Sequence, residues 1–168
     1  MKSILYDDRV IVKDVNAHNL YNKRFYGNLT DFGLELSLIE ALYLLKKGKI
    51  YIITEHKEQI TAEKLSEIIR KKQIYSHYLV YEDLRTRGYI IKTGFKYGSD
   101  FRIYERGHKP GEGHSNHLVK ILSEEQSIKA RDFSSYVRVA HGVRKSLLLA
   151  VVDDEYNITY YDIEWTRP

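Results

Sequence analysis

The chain has 168 residues, 27 Lys and Arg against 23 Asp and Glu for a net charge of +4, fifteen Tyr and no Cys. That length allows one domain or two small ones with usable cores, and the aromatic content belongs to a folded chain and not a disordered one. The missing thiols exclude disulfides, thiolate catalysis and Cys-based zinc sites. No apolar run approaches a bilayer span and Met1–Leu5 is no signal peptide, so a cytoplasmic protein is expected.

The first thirty residues alternate short apolar runs, Ile4–Tyr6 and Val10–Val12, with charged and turn residues, which predicts a small antiparallel sheet. Leu34, Leu38, Leu42 and Leu45 recur at helical spacing, so a helix is expected over Leu34–Leu45 with Gly48 as its stop. Thr61-x-x-Lys64 opens a second helix through Arg70, apolar at Leu65, Ile68 and Ile69. A third runs from Ser76 to Arg87 and ends before Gly88. The boundary between two small α/β domains falls at this third helix, with one domain over 1–77 and the other over 78–168.

Beyond Gly88 the pattern changes to strands. Tyr89–Thr93, Asp100–Glu105, Leu118–Leu122, Leu147–Val152 and Ile158–Glu164 are short and rich in β-branched or aromatic residues. One helix interrupts them, from Arg131 to about Arg144, with Phe133, Val137, Ala140 and Val143 at helical spacing. Leu147–Val152 is apolar throughout, which predicts a central strand buried on both faces. Lys109–Ser115 reads as an exposed loop. The fold class is α+β: N-terminal helices with a small antiparallel sheet, then a C-terminal mixed sheet flanked by helices.

Charge is unevenly distributed. Arg85–Lys109 holds seven Lys or Arg against Asp100 and Glu105, Lys129–Lys145 holds five against Asp132, and Asp153–Glu164 has five acids and no base. A basic surface beside an acidic segment suits a polyanionic ligand and a charged self-contact, although solvated faces produce similar runs.

Within the basic half, strand alternation puts Asp100, Arg102 and Tyr104 on a polar face, free to meet a ligand, and Phe101 and Ile103 on an apolar one. A phenol of ordinary pKa, near ~10, is ionised about one part in a thousand at pH 7. As a base it needs nearby cations such as Arg102 or Lys145. His114, in the polar turn G-E-G-H-S, is suited to donate a proton near neutrality. Arg138, His141 and Lys145 lie three and four apart, which predicts a cationic stripe opposite Phe133, Val137 and Ala140, able to bind phosphate or stack on a base. Cations at a helix C-terminus are also ordinary complements of its dipole.

A phenol, an imidazole and an ammonium are the three groups that a metal-free ribonuclease needs. Packing tyrosines and a solvated loop histidine remain open readings of the same residues. His108, Glu112, His114 and His117 also cluster in sequence, but in no familiar zinc spacing.

The contexts Y-L-V-Y-E-D-L-R-T-R-G-Y-I-I-K-T-G, K-Y-G-S-D-F-R-I-Y, G-H-S-N-H-L-V-K, Y-V-R-V-A-H-G-V-R-K and L-L-A-V-V-D-D-E…I-T-Y-Y run in order from Tyr78 to about Asp162. In them the chain resembles the archaeal tRNA-splicing (tRNA-intron) endonuclease family, in its single-length homotetrameric form. The resemblance implies an endoribonuclease whose catalytic nuclease domain spans 78–168. Tyr104 would be the general base on the ribose 2′-hydroxyl, His114 the general acid for the 5′-oxygen, and Lys145 the stabiliser of the pentacovalent phosphate. It further implies cleavage of precursor tRNA at bulge–helix–bulge sites, 2′,3′-cyclic phosphate and 5′-hydroxyl products, and no metal or other cofactor.

Arg138 matches a family arginine that stacks on a bulged base, and Arg167 is the candidate for a second. Asp153, Asp154 and Glu155 match a loop that docks into a basic groove of a neighbouring subunit, and the strand Ile158–Glu164 would pair with its symmetry mate. Three other readings stay open: a catalytic subunit of a heteromeric splicing endonuclease, a non-catalytic RNA-binding subunit, and a metal-dependent nuclease using Asp153, Asp154 and Glu155.

Overall fold

The computed structural model describes residues 1–105, 110 and 117–168. These residues divide into two units, Met1–Tyr78 and Leu79–Pro168. The α+β reading holds in both, with differences in detail. No helix among the described residues is long and apolar enough to cross a membrane.

The first unit contains β1 (Lys2–Leu5), β2 (Arg9–Val12), α1 (Ala17–Arg24), β3 (Asn28–Thr30), β4 (Gly33–Ser37), α2 (Leu38–Lys46), β5 (Tyr51–Ile53), β6 (Gln59–Ile60) and α3 (Ala62–Lys71). Its sheet is larger than the sequence predicts and is mixed. Six strands lie in the order β3-β4-β2-β1-β5-β6, and β1 runs parallel to β5.

The expected helix over Leu34–Leu45 is two elements. Leu34 and Leu36 alternate into the core as part of β4, 1% and 0% exposed, and the helix starts only after Ser37. There the Ser37 hydroxyl accepts from the Glu40 amide, and the Glu40 carboxylate accepts from the Ser37 amide, closing a capping box. The other Glu40 oxygen accepts from the Gly27 amide at 2.8 Å. Gly27 has φ +58°, and a Cβ there would meet the Glu35 carbonyl oxygen at 2.2 Å, so only glycine fits. Thr61 caps α3 through the Lys64 amide, and Leu65 and Ile69 are fully buried.

Helix α4 (Tyr75–Thr86) runs through the division. The second unit continues with β7 (Ile90–Thr93), a 3₁₀ turn at Phe95–Tyr97, β8 (Phe101–Tyr104), β9 (His117–Ser123), α5 (Ala130–Gly142), β10 (Ser146–Val152) and β11 (Ile158–Ile163). The sheet order is β11-β10-β9-β8-β7, with β9 and β10 parallel across the α5 crossover. The apolar run Leu147–Val152 is therefore not central. It forms β10, one strand in from the edge strand β11, with Leu148, Leu149 and Val151 only half-buried. The middle strand is β9.

Each face of this sheet meets a helix. Leu118 and Leu147 pack against Val137 and Ala140 of α5, with Tyr97, Phe133, Tyr136, Val143 and Ile163 around them. On the opposite face, the Tyr81 ring of α4 meets Phe101 edge-on at 6.1 Å. Tyr160 of β11 donates to Asp83 of α4 at 2.8 Å, and Asp83 also holds Arg87 at 2.8 Å. Burial and the neighbouring carboxylate push the Tyr160 phenol far above its usual range, so it stays a hydrogen-bond donor.

Candidate active site

Strand register brings two of the sequence-predicted residues to one place. Ile103 of β8, His117 of β9 and Ser146 of β10 form one row across three strands. Tyr104 ends β8 and Lys145 immediately precedes β10, so both stand one step beyond that row, at the same end of the sheet. At roughly 5 Å per strand their backbones are about 10 Å apart. Alternation gives them the face of Leu118 and Leu147, under α5. His114 lies outside the described residues, as do His108 and Glu112; the described chain resumes at His117, on the strand between those of Tyr104 and Lys145 and one step short of their level.

Lys145 does not lie on a helical stripe with Arg138 and His141, because α5 ends at Gly142. A left-handed residue, Arg144 at φ 59°, reverses the chain. The Lys145 amide donates to the Ala140 carbonyl and the Arg144 amide to the His141 carbonyl, both at 2.9 Å. This paired closure of a helix end aims the chain from α5 into β10 and fixes where Lys145 leaves it. Burial holds the Lys145 ammonium below its ordinary pKa; Tyr97 opposes that effect and Arg102 adds to it. Arg102 is thus a second positive charge near Lys145.

Tyr104 is buried, 5% exposed, rather than open on a polar face. Arg102, two residues earlier on the same face, is half-buried, and its Nε has no hydrogen-bond partner among the described residues. Further along, Asp100 is engaged with Lys120 at 3.5 Å and the Ile121 amide at 2.8 Å, away from the Tyr104 end. Tyr97 is the neighbour that sequence reading missed. Its only signal is the short F-K-Y turn between Gly94 and Gly98, which no periodicity links to Lys145.

The remaining predicted residues separate into two surfaces. Arg138 is exposed on α5, and Arg167 is exposed in the C-terminal segment. That segment returns to α5, where the Trp165 and His141 rings stack with centroids 4.6 Å apart. Asp153, Asp154 and Glu155 make the turn between β10 and β11. Asp153 builds that turn: its carboxylate accepts from the Glu155 amide at 2.9 Å, the Asn157 amide at 2.8 Å and the Asn157 side chain at 3.0 Å. These bonds, led by the Asn157 side chain, hold its pKa low. Asp154 and Glu155 are the outward acids. Among the described residues, no group of three or more His, Asp or Glu is arranged to hold a metal ion.

Two family models match this chain. Residues 74–160 match the tRNA intron endonuclease catalytic C-terminal domain, and residues 1–66 match the tRNA intron endonuclease N-terminal domain. The chain is 51% identical over 165 residues to a tRNA-splicing endonuclease of Methanothermobacter thermautotrophicus, covering 98% of this chain and 96% of that one. A tRNA-splicing endonuclease of Thermococcus gammatolerans is 46% identical over 166 residues, covering 97% and 96%. One from Methanococcus vannielii is 41% identical over 165 residues, covering 97% and 93%.

Proposed function

The chain belongs to the tRNA intron endonuclease family, and we propose that it cuts precursor tRNA at bulge–helix–bulge splice sites without a metal ion. Tyr104 takes the proton from the ribose 2′-hydroxyl, whose oxygen attacks the adjacent phosphorus. Lys145 balances the charge of the pentacovalent phosphate, and His114 gives a proton to the departing 5′-oxygen. The products are a 2′,3′-cyclic phosphate and a 5′-hydroxyl. An internal nucleophile needs positioning and charge stabilisation, not an activated water.

One observation carries this reading: Tyr104 and Lys145 share one end and one face of a sheet, and the strand that follows His114 in sequence starts between them. The partly desolvated ammonium of Lys145 also suits the role, since a charge screened less by water stabilises a developing anion more strongly. Arg138 stacks on a bulged base, with Arg167 as its partner. The assembly is a homotetramer acting in the cytoplasm. Asp153, Asp154 and Glu155 carry the contact between dimers, and β11 pairs with its symmetry mate, which hides its open edge.

The test is cleavage of a bulge–helix–bulge RNA in EDTA, with analysis of the product ends. Replacing His114→Ala should slow cleavage at least a hundredfold, on the scale of ~10²–10⁴ for a lost acid catalyst. Unchanged cleavage by that variant, or a wild-type reaction abolished by EDTA, overturns the mechanism. Light scattering of the purified chain should give a particle of four copies; a smaller particle that cleaves only with a second chain overturns the assembly.

A further inference from the structure

We propose that Arg102 is a second cation on the reacting phosphate, its guanidinium donating to a non-bridging oxygen beside Lys145. The inference rests on the RNA-cleaving reading and adds to it a residue that the Tyr104, His114 and Lys145 set leaves out. Register supplies the geometry. Arg102 pairs with Leu118 of β9, and Leu118 pairs with Leu147 of β10. Tyr104 stands two residues beyond Arg102 and Lys145 two residues before Leu147, so all three side chains start from one face of the sheet. The Arg102 backbone is roughly 7 Å from that of Tyr104 and roughly 12 Å from that of Lys145. Two long cationic side chains can meet at one phosphate across that span. Their heads already sense each other: burial is the main cause of the lowered Lys145 pKa, and Arg102 adds to it.

The state of Arg102 calls for an anion. The side chain is half-buried, and its Nε is closed to water and has no hydrogen-bond partner among the described residues. Asp100, the acid on its own strand face, is held at the far end by Lys120 at 3.5 Å and the Ile121 amide at 2.8 Å. Two other arginines of this unit show the contrast. Arg87 is paired with Asp83 at 2.8 Å and Arg131 with Asp132 at 3.5 Å.

A buried lysine can lessen its desolvation cost by releasing a proton, whereas a guanidinium stays charged. An anion that accepts its hydrogen bonds offsets that cost. A phosphodiester brings one negative charge and gains a second as the deprotonated 2′-oxygen adds to phosphorus. Two cations therefore match the pentacovalent state better than the ground state, and the benefit of Arg102 should appear in the rate.

The test uses the full-length chain and a bulge–helix–bulge RNA in EDTA. Arg102→Ala should lower the single-turnover rate at saturation roughly a hundred- to a thousandfold, the scale of one lost transition-state donor, with KM changed only a few fold. Added guanidinium should restore part of the Arg102→Ala rate and leave the wild type unaffected, a rescue that a merely structural role would not produce. Arg102→Lys keeps the charge without the planar fork and should fall between the two. The same RNA with 2′-deoxynucleotides at both cut positions reads binding alone. Its plot of log affinity against log salt should be shallower by about one for Arg102→Ala, the loss of one phosphate contact.

An unchanged rate for Arg102→Ala overturns the proposal, as does an unchanged salt slope. Slowing that guanidinium does not restore, accompanied by a lowered melting temperature, makes Arg102 a packing residue and overturns it too. A smaller particle with a normal rate at high protein concentration assigns Arg102 to a carboxylate of a neighbouring subunit, with the same consequence. If Arg102→Ala fails to fold, the rates and salt slopes of Arg102→Lys and Arg102→Gln decide the matter. A wild type that cuts only with a metal ion, combined with a shallower slope for Arg102→Ala, would sink the cleavage reading and leave Arg102 standing as a phosphate ligand. Metal-free cleavage with an indifferent Arg102 would do the reverse.

Discussion

The two units of this chain use their polar residues differently. In Met1–Tyr78 the polar side chains that matter close local structure: Ser37 and Glu40 cap α2, Thr61 caps α3, and Glu40 also fixes the Gly27 turn. Leu34, Leu36, Leu42, Leu44, Ile52, Leu65 and Ile69 are sealed beneath them. In Leu79–Pro168 two half-buried side chains, Arg102 and His117, each hold an atom without such closure. Arg102 Nε and His117 Nδ1 have no hydrogen-bond partner among the described residues, and Lys145 is held at a depressed pKa beside a second cation. Buried polar atoms left without a partner carry a desolvation cost. On the function proposed above, the first unit is arranged for stability and the second carries its cost where a bound RNA would relieve it.

Tyr104→Phe should separate these roles most sharply. The ring remains and keeps its buried packing, so the melting temperature should move by no more than a few degrees. Cleavage of a bulge–helix–bulge RNA should fall by ~10²–10⁴, equivalent to about 3–5 kcal/mol of transition-state stabilisation. Single-turnover rates measured beside a thermal melt check both halves. A large stability loss with modest slowing would make Tyr104 a core residue and erase the contrast.

Leu42→Ala tests the other unit. Leu42 is fully buried, and its truncation should cost about 2–5 kcal/mol by urea unfolding while cleavage per folded molecule stays within a few fold. A slowed folded enzyme would show that the units do not divide the work. A smaller effect is expected for Glu40→Ala, which strips acceptors from the Ser37 amide and hydroxyl and from Gly27. Its cost should be about 1–3 kcal/mol, read from the same unfolding curve.

Legibility in the sequence follows the range of the interaction. The caps are local: Ser37-x-x-Glu40 was visible, yet the leucine spacing over Leu34–Leu45 hid it, because Leu34 fits both a helical repeat and the Leu34–Leu36 strand alternation. Pairing with β2 and β3 decided for the strand. Helix α1 was missed since only Ala17 and Leu20 are buried in it, too few for a periodic signal. In the second unit the strands and α5 were legible from alternation and spacing. The proximity of Tyr104 and Lys145 was not, since it depends on register across β8, β9 and β10. Neither was the burial of Tyr104: alternation assigns a face but not what covers it. The stripe through Arg138, His141 and Lys145 failed at its last member, because spacing cannot announce a helix end marked by arginine instead of glycine.

That helix end gives the smallest effect. Arg144 occupies the left-handed position of the closure after α5, at φ 59°, where glycine is the usual residue and any Cβ is strained. Arg144→Gly should relieve that strain but enlarge the freedom of the unfolded chain, for a net gain of about 0.5–1 kcal/mol in urea unfolding. The two amide bonds of the closure stay, so Lys145 keeps its exit from α5, and cleavage should stay within a few fold of the wild type. A variant that is more stable and equally active would show that the closure positions Lys145 through its backbone. If stability rises and cleavage collapses, the Arg144 side chain itself belongs to the cationic site, and the functional half of the chain holds its strain there for a reason.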